Sequence, residues 1–169
     1  MHLFIVRHGQ TEANLKNLCN GRNSGDLTPY GAEQARALVP QMEKAGVELI
    51  FSSPLVRAVH TARILNVGGL EIVTDERINE RDVGRYTLQP VELLEADKRF
   101  DPDFFDPDVE PYEDIKARVG SFLEELRAKY PDKRILIVSH GDTIVAMQEL
   151  LGHGGEPYPQ TCTLLEYEA

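Results

Sequence analysis

Three apolar runs of the sequence end in residues that could bind and attack a phosphoryl group. The segment "LFIVRHGQT" contains Arg7 and His8, the segment "IFSSPLVRA" contains Arg57, and the segment "ILIVSHGDT" contains His140. Two guanidinium groups and two imidazoles that converge on one point would make a pocket for a tetrahedral oxyanion. A neutral imidazole in such a pocket is a nucleophile, and the guanidinium groups favour its neutral form by lowering its pKa.

Covalent transfer to a histidine also requires an acid that protonates the departing alkoxide. Glu80 and Asp82, in "RINERDVG", both follow the third apolar run, and spacing alone does not distinguish them. Each motif also has a plainer explanation, since Arg-His-Gly at a strand end is typical of a turn with a solvated arginine. Arg57 fits that explanation less well, because a cation in the first turn of a helix opposes the helix dipole unless an anion binds beside it.

Metal and nucleotide binding are the other common uses of such residues, and the spacing favours neither. No HxH or HExxH motif and no acidic cluster accompanies His8 or His140, so no metal site is predicted. The sequence also contains no GxSxG motif and no P-loop. His2, His60 and His153 stand singly and are interpreted as surface or core residues.

Strand-like and helix-like segments alternate along the chain, which is typical of an α/β fold with a largely parallel sheet. The predicted strands are Leu3–Val6, Leu49–Phe51, Glu71–Val73, Ile135–Val138 and Cys162–Tyr167. The predicted helices contain Ala35–Met42, Leu55–Leu65, Ile115–Leu126 and Ile144–Leu151. Ligands of such sheets bind beyond the carboxyl ends of the strands, where all three polar junctions would meet. Ser53 before Pro54 is predicted to cap the second of these helices.

Composition predicts one domain and limits the partners. A chain of 169 residues is long enough for a packed core without metals or disulfides. The net charge of −10 argues against binding to nucleic acid or an anionic membrane. We find no apolar run long enough for a membrane span or signal peptide, and we expect a cytoplasmic protein with Cys19 and Cys162 as free thiols. Residues 97–114 contain eight acidic residues and would form a solvated loop or a lid over the site.

Taken together, the motifs resemble the histidine phosphatase superfamily, the phosphoglycerate-mutase-like group. The matching segments are "RHGQTEAN", "LTPYGAEQARAL", "IFSSPLVRAVHTARIL", "NERDVG" and "IVSHG", which run from Leu3 to Gly141 and are weakest over residues 85–110. The resemblance implies a three-layer sandwich with a central, largely parallel sheet. It also implies a single domain over residues 1–169, with residues 85–114 as a lid or insertion.

The resemblance assigns a role to each site residue. It implies that His8 is the nucleophile and that Arg7, Arg57 and His140 hold the phosphoryl oxygens. Glu80 would be the proton donor and later the base for water. Asn14 and the Gly141 amide would line the pocket, with Gly21 at its edge. The implied reaction needs no metal and no organic cofactor, and its substrate would be a small phosphate ester.

Departures from the family pattern favour a phosphatase over a mutase. Thr87 and Leu88 stand where many family phosphatases have Glu-Gly after an aromatic residue, and Val83 stands where mutases have tyrosine. The basic residues that mutases place in the following insertion are replaced by an acidic segment. Three alternatives to a small-metabolite phosphatase stay open: a phosphohistidine phosphatase acting on proteins, a mutase, and a non-catalytic phosphate-binding module. The oligomeric state is not readable from the sequence.

Overall fold

The fold is a central sheet of five strands with helices on both faces. The computed structural model describes residues 1–94, 100, 101 and 104–169. The strands are β1 His2–Arg7, β2 Leu49–Ser52, β3 Ile72–Thr74, β4 Arg134–Ser139 and β5 Leu164–Glu168. The helices are α1 Glu12–Leu15, α2 Pro29–Ala45, α3 Val56–Leu65, α4 Tyr112–Lys129 and α5 Gly141–Leu150. Short 3-10 helices cover Glu76–Ile78, Gly84–Tyr86 and Val91–Leu94.

The sheet has the order β3-β2-β4-β1-β5, and every pairing is parallel except that of β1 with β5. The predicted α/β class with a largely parallel sheet is therefore confirmed. β1 and β4 lie side by side in the register Arg7↔Ser139. Both strands extend one residue beyond the predicted C-terminal end, because this pairing includes their polar final residues. The two histidine motifs consequently leave the sheet at the same point.

Alternation of side chains along the inner strands produces the three layers. Leu3 and Ile5 of β1 contribute to a core with residues of α4 and α5. Phe4 and Val6 contribute to a second core with residues of α2 and α3 on the opposite face. The four inner residues of β1 and of β4 are apolar without interruption because both strands are buried on both faces, and these strands hold their polar C-terminal ends. None of the described helices combines the length and apolarity of a membrane span.

The region expected to form a lid lies partly outside the described residues. In the described part, Arg85 binds the carboxylates of Asp106 and Asp108 at 2.7 and 2.6 Å. Glu110 accepts hydrogen bonds from Arg118 and from Arg22. The described part of the acidic segment is thus attached to the body of the protein by arginines. The role of residues 85–114 as a lid stays a prediction.

Candidate active site

The two histidines that follow β1 and β4 lie against each other. His8 and His140 have ring centroids 5.1 Å apart, and both side chains are fully buried. The His8 amide donates a hydrogen bond to the Ser139 carbonyl at 3.0 Å, which continues the parallel ladder past the end of β1. The strand pairing itself therefore brings the two imidazoles together.

The His8 ring is held in the tautomer that has its proton on Nδ1 and its lone pair on Nε2. Nδ1 lies 2.7 Å from the Gly9 carbonyl oxygen, which can only accept, so Nδ1 carries the proton of the neutral ring. Arg57 Nε donates to His8 Nε2 at 3.3 Å. Burial, and then the charges of Arg57 and Arg7, lower the pKa of His8 well below its ordinary value. The neutral imidazole is the form that can attack phosphorus.

Arg57 is buried in the first turn of α3 and is held by backbone carbonyls. Its two terminal nitrogens donate to the Gly21 oxygen at 2.7 Å and to the Asn23 oxygen at 2.9 Å. Burial lowers the pKa of Arg57 to about 10, so the guanidinium stays charged at neutral pH. Gly21 has a φ of +49°, a left-handed conformation that favours glycine. The loop at residues 21–23 thus orients a cation that opposes its own helix dipole.

Arg7 is oriented from the other side of the site. One terminal nitrogen donates to the Pro159 carbonyl at 2.8 Å, and the guanidinium lies 5.2 Å from the centroid of the Tyr158 ring. Arg7 Nε is buried and has no hydrogen-bond partner among the described residues. A buried donor without a partner is costly, and a phosphoryl oxygen would satisfy it.

The His140 ring is fixed by the hydroxyl of Ser53, the residue predicted to cap α3. Ser53 Oγ donates to Asn79 Oδ1 at 2.7 Å and lies 2.8 Å from His140 Nε2. Because Ser53 has one proton, His140 Nε2–H is the donor in this pair. The predicted N-cap role of Ser53 is wrong. The N-cap of α3 is Leu55, which makes no side-chain capping bond, and the Ser53 hydroxyl is used by the site.

Burial and neighbouring charge also act on His140 itself. Burial, and then the Arg57 charge, lower the pKa of His140 well below its ordinary value. His140 Nδ1 is buried without a hydrogen-bond partner among the residues described. Arg7 Nε is thus an unsatisfied donor, and His140 Nδ1 is an unsatisfied acceptor that becomes a donor when the ring is protonated beside an anion.

The structure separates the two candidate acids. Glu80 is 8 % exposed and lines the same cavity as Arg7, and its Oε1 accepts a hydrogen bond from the Arg81 amide at 2.9 Å. Asp82 is exposed, and its carboxylate accepts a hydrogen bond from the Gly84 amide at 2.9 Å. Burial, and then the Asp142 charge, raise the pKa of Glu80. This shift favours the protonated carboxyl that a general acid needs.

The cavity beside these groups has a volume of about 410 Å³. Arg7, Asn14, Gly21 and Glu80 line it, so four of the predicted site residues share one wall. Its other polar lining residues are Gln10, Asn17, Asn20, Arg81, Asp142, Tyr158, Gln160 and Thr161. Asn14 Oδ1 accepts hydrogen bonds from the Thr11 amide and hydroxyl, so Asn14 would contact a ligand through Nδ2. The cavity is small and mostly polar.

The remaining predicted residues lie next to the cavity without lining it. His8, Arg57 and His140 are fully buried: Arg57 donates a hydrogen bond to the Gly21 carbonyl at the cavity, His8 contacts Arg57, and His140 packs on His8. Gly141 is the first residue of α5, and the Tyr158 hydroxyl packs against it. The structure thus gathers all the predicted site residues around one point. Their individual roles stay predictions.

Several residues that support the site were not identified from the sequence. The Thr61 hydroxyl accepts a hydrogen bond from the Gly9 amide at 3.1 Å, and Asn79 orients Ser53. Asp142 belongs to the "SHGDT" motif, so it could have been predicted as a site residue from the sequence. Tyr158 lies in a loop and belongs to no motif, so the sequence does not indicate it. Among the side chains that the structure describes, no group of three His, Cys, Asp or Glu residues could hold a metal ion.

The similarity of this chain to known proteins covers all of the predicted site residues. Residues 3–162 match the sequence model of the histidine phosphatase superfamily, branch 1. A putative phosphoserine phosphatase 2 of Hydrogenobacter thermophilus is 38 % identical over 158 residues, covering 88 % of this chain and 77 % of the relative. An uncharacterized phosphatase of Bacillus subtilis, PhoE, is 36 % identical over 162 residues, covering 95 % and 82 %. A mycobacterial glucosyl-3-phosphoglycerate phosphatase solved with VO3 superposes with a TM-score of 0.87 at 26 % identity, covering 98 % and 90 %.

Proposed function

Because this chain belongs to the histidine phosphatase superfamily, we propose that it hydrolyses phosphomonoesters of small metabolites through a phosphohistidine on His8. The observation that carries the proposal is the orientation of His8, whose Nε2 lone pair faces the Arg57 guanidinium at 3.3 Å. A phosphate ester that binds there replaces Nε2 as the acceptor of the Arg57 hydrogen bond. Binding of substrate and release of the nucleophile are then the same event.

In the first half-reaction, His8 Nε2 attacks phosphorus and the bond from phosphorus to the ester oxygen breaks. Glu80 gives its proton to the departing oxygen, so the alcohol leaves neutral and Glu80 becomes a carboxylate. Arg7 and Arg57 neutralise the charge on the phosphoryl oxygens. The unsatisfied Arg7 Nε is one of the donors available for this.

His140 supports the same oxygens in its protonated form. A bound phosphoryl dianion favours the imidazolium, in which Nδ1 donates to the anion while Nε2 continues to donate to Ser53. In the second half-reaction the Glu80 carboxylate takes a proton from water, and the resulting nucleophile attacks phosphorus. The phosphorus–nitrogen bond breaks, inorganic phosphate leaves, and His8 and Glu80 return to their starting forms.

The cavity favours a small substrate whose alcohol carries no additional negative charge. Asp142 and Glu80 both line it, and the acidic segment at residues 97–114 follows the Glu80 loop in sequence. Two of the relatives described above are named for small phosphorylated compounds, phosphoserine and glucosyl-3-phosphoglycerate, which supports the small size of the substrate. A panel of metabolite phosphates tests this, and a preference for bisphosphates over monophosphates of neutral alcohols would contradict it.

A phosphohistidine phosphatase acting on proteins is less well supported. His8 is fully buried, whereas a phosphorylated side chain on a protein surface requires an open nucleophile. We also propose that the chain acts in the cytoplasm as one domain, without nucleic acid or membrane partners. Its net charge of −10 supports the absence of nucleic acid and anionic membrane partners.

The decisive experiment is hydrolysis of 4-nitrophenyl phosphate in excess chelator by the wild type and by His8→Ala. We expect chelator-resistant activity in the wild type and its loss in the variant, because no other group replaces the Nε2 nucleophile. Wild type quenched with alkaline detergent during turnover should carry phosphate on His8 that is stable to alkali and released by acid. Full activity of His8→Ala would contradict the proposal.

A further inference from the structure

Tyr158 contacts two segments of the site, the end of β1 and the start of the helix that follows β4. Its ring faces the Arg7 guanidinium, with 5.2 Å between the guanidinium carbon and the ring centroid. Its hydroxyl donates to Asp142 Oδ1 at 3.0 Å. Arg7 ends β1, and Asp142 lies in the first turn of α5, two residues after His140. One side chain therefore contacts both junctions that hold the predicted phosphate ligands.

The support that Arg7 receives leaves its charge available. Within the described residues, Arg7 is held by the Pro159 carbonyl and the Tyr158 ring, and it forms no ion pair with a carboxylate. A carboxylate partner would compete with a phosphate for the guanidinium, whereas a ring face orients the guanidinium without neutralising it. Arg7 Nε keeps its donor for the ligand.

Tyr158 is itself fixed by its surroundings. A Cβ added to Gly141 would lie 1.8 Å from the Tyr158 hydroxyl oxygen, so a side chain at that position would displace the ring. The glycine after His140 thus makes room for Tyr158 and allows the hydrogen bond to Asp142. The adjoining loop is also attached to the site, because the Cys162 amide donates to the Arg7 carbonyl at 3.0 Å.

We propose that Tyr158 is a positioning residue, which sets the affinity for the phosphoryl group by orienting Arg7 through its aromatic face. This inference rests on the proposed function for the identity of the ligand. Tyr158 takes no part in bond making and does not exchange a proton with the substrate. Its effect belongs to phosphate binding, in the ground state and in the transition state alike.

The test compares Tyr158→Phe, which keeps the ring face, with Tyr158→Leu, which keeps a similar apolar volume without it. The dissociation constant of inorganic phosphate is measured by calorimetry, and KM and kcat are measured with 4-nitrophenyl phosphate. We expect Leu to weaken phosphate binding about tenfold and to raise KM to match. Phe should weaken binding by no more than about threefold, the effect of one hydrogen bond.

Two further variants make the test specific for Arg7. Tyr130→Leu removes an aromatic ring that packs on Phe51, before the start of β4 and far from the site, and it should leave phosphate affinity unchanged. In an Arg7→Gln background, Tyr158→Leu should change the dissociation constant by less than about twofold, because the partner of the ring is gone.

The proposal is overturned if Tyr158→Leu binds phosphate like the wild type, or if Phe is as weak as Leu. A full effect of Tyr158→Leu in the Arg7→Gln background would also overturn it. If the wild type and the variants bind phosphate as expected but the wild type hydrolyses no phosphate ester, the proposed function is overturned and this inference stands. A wild type that binds no phosphate would overturn both.

Discussion

At the scale of single residues, the site depends on two opposite shifts of pKa. Burial and neighbouring guanidinium groups lower the pKa of His8, whereas burial and the Asp142 charge raise the pKa of Glu80. These directions favour the neutral imidazole and the protonated carboxyl that the proposed roles of the two residues require. Opposite shifts of this kind distinguish the partners in acid–base and nucleophilic catalysis.

The role proposed for Glu80 predicts a dependence on the leaving group. Glu80→Gln removes the proton donor and nearly conserves the shape of the side chain. It should lower kcat for an alkyl phosphate by about 10²- to 10⁴-fold. The loss for 4-nitrophenyl phosphate should be much smaller, because nitrophenolate leaves without protonation. Steady-state kinetics on both esters measure the difference.

Asp82→Asn is the matched control, since Asp82 is exposed and does not line the cavity. It should leave the ratio of the two rates unchanged. Equal slowing of both esters by Glu80→Gln would exclude Glu80 as the donor.

Residue chemistry also marks the limit of sequence reasoning about the site. Arg7, His8 and His140 could be proposed because they follow buried apolar runs, and Arg57 because a cation in the first turn of a helix indicates an anion beside it. The choice of Glu80 over Asp82 required either the family resemblance or the observed burial. Tyr158 could not be proposed, because its contacts arise from a loop that only the complete fold brings back to β1.

At the scale of elements, a close approach of two backbones connects α2 to the catalytic junction. A Cβ on Gly9 would lie 2.4 Å from the Gly31 carbonyl oxygen, and a Cβ on Gly31 would lie 2.2 Å from the Gln10 carbonyl oxygen. The first turn of α2 therefore rests directly on the residues that follow His8. Thr28 caps this turn by accepting a hydrogen bond from the Gly31 amide.

This contact predicts that Gly31→Ala is destabilising. The methyl group must push two backbone segments apart, which costs about 1–3 kcal/mol of unfolding free energy, and kcat should fall because the Gly9 and Gln10 backbone moves. Gly120→Ala, within α4, is the control, since the nearest atom to a Cβ there would be in Leu150 of α5, at 3.9 Å. It should raise the unfolding free energy by up to about 1 kcal/mol.

Urea denaturation with 4-nitrophenyl phosphate kinetics checks both variants. Equal stability of Gly31→Ala and the wild type would show that the two backbones separate without strain.

Most helices and strands could be predicted from periodicity, since buried strands and amphipathic helices have clear patterns of apolar residues. The first and last residues of these elements are less clearly marked in the sequence. The Ser-Pro pair before α3 reads locally as a helix cap, yet Ser53 binds His140 and Asn79, which are distant in sequence. The Ser53 hydroxyl also accepts a hydrogen bond from the Leu55 amide at 3.3 Å, but the helix begins two residues later than the local pattern predicts, with Leu55 as its N-cap.

At the scale of the whole molecule, the buried histidines make stability depend on pH. The pKa values of His8 and His140 are lowered in the folded state, whereas the unfolded chain takes up protons at about pH 6.5. Below that pH the unfolded state binds more protons, so their contribution to the unfolding free energy is present above about 6.5 and declines as pH falls. Glu80 acts in the opposite direction, since its raised pKa gives stability that is lost as pH rises through the folded value.

We therefore expect the unfolding free energy to fall from pH 7 to pH 5.5. Each buried histidine contributes a slope of up to about 1.4 kcal/mol per pH unit. His8→Asn should remove up to one such contribution from the slope. Urea denaturation at intervals of half a pH unit measures it for both proteins. An identical slope in the variant would mean that His8 is protonated in the folded protein.

The strand order has a consequence for how this protein becomes competent during synthesis. β1 is made first, but its parallel neighbour β4 lies some 130 residues further along the chain, and β5 follows later still. Loop closure over such a span is slow and requires the intervening segments to be in place. A ribosome-bound chain that has not yet exposed β4 would carry the nucleophile without its partner imidazole. Phosphatase activity would then come only from chains that have been completely synthesised and folded.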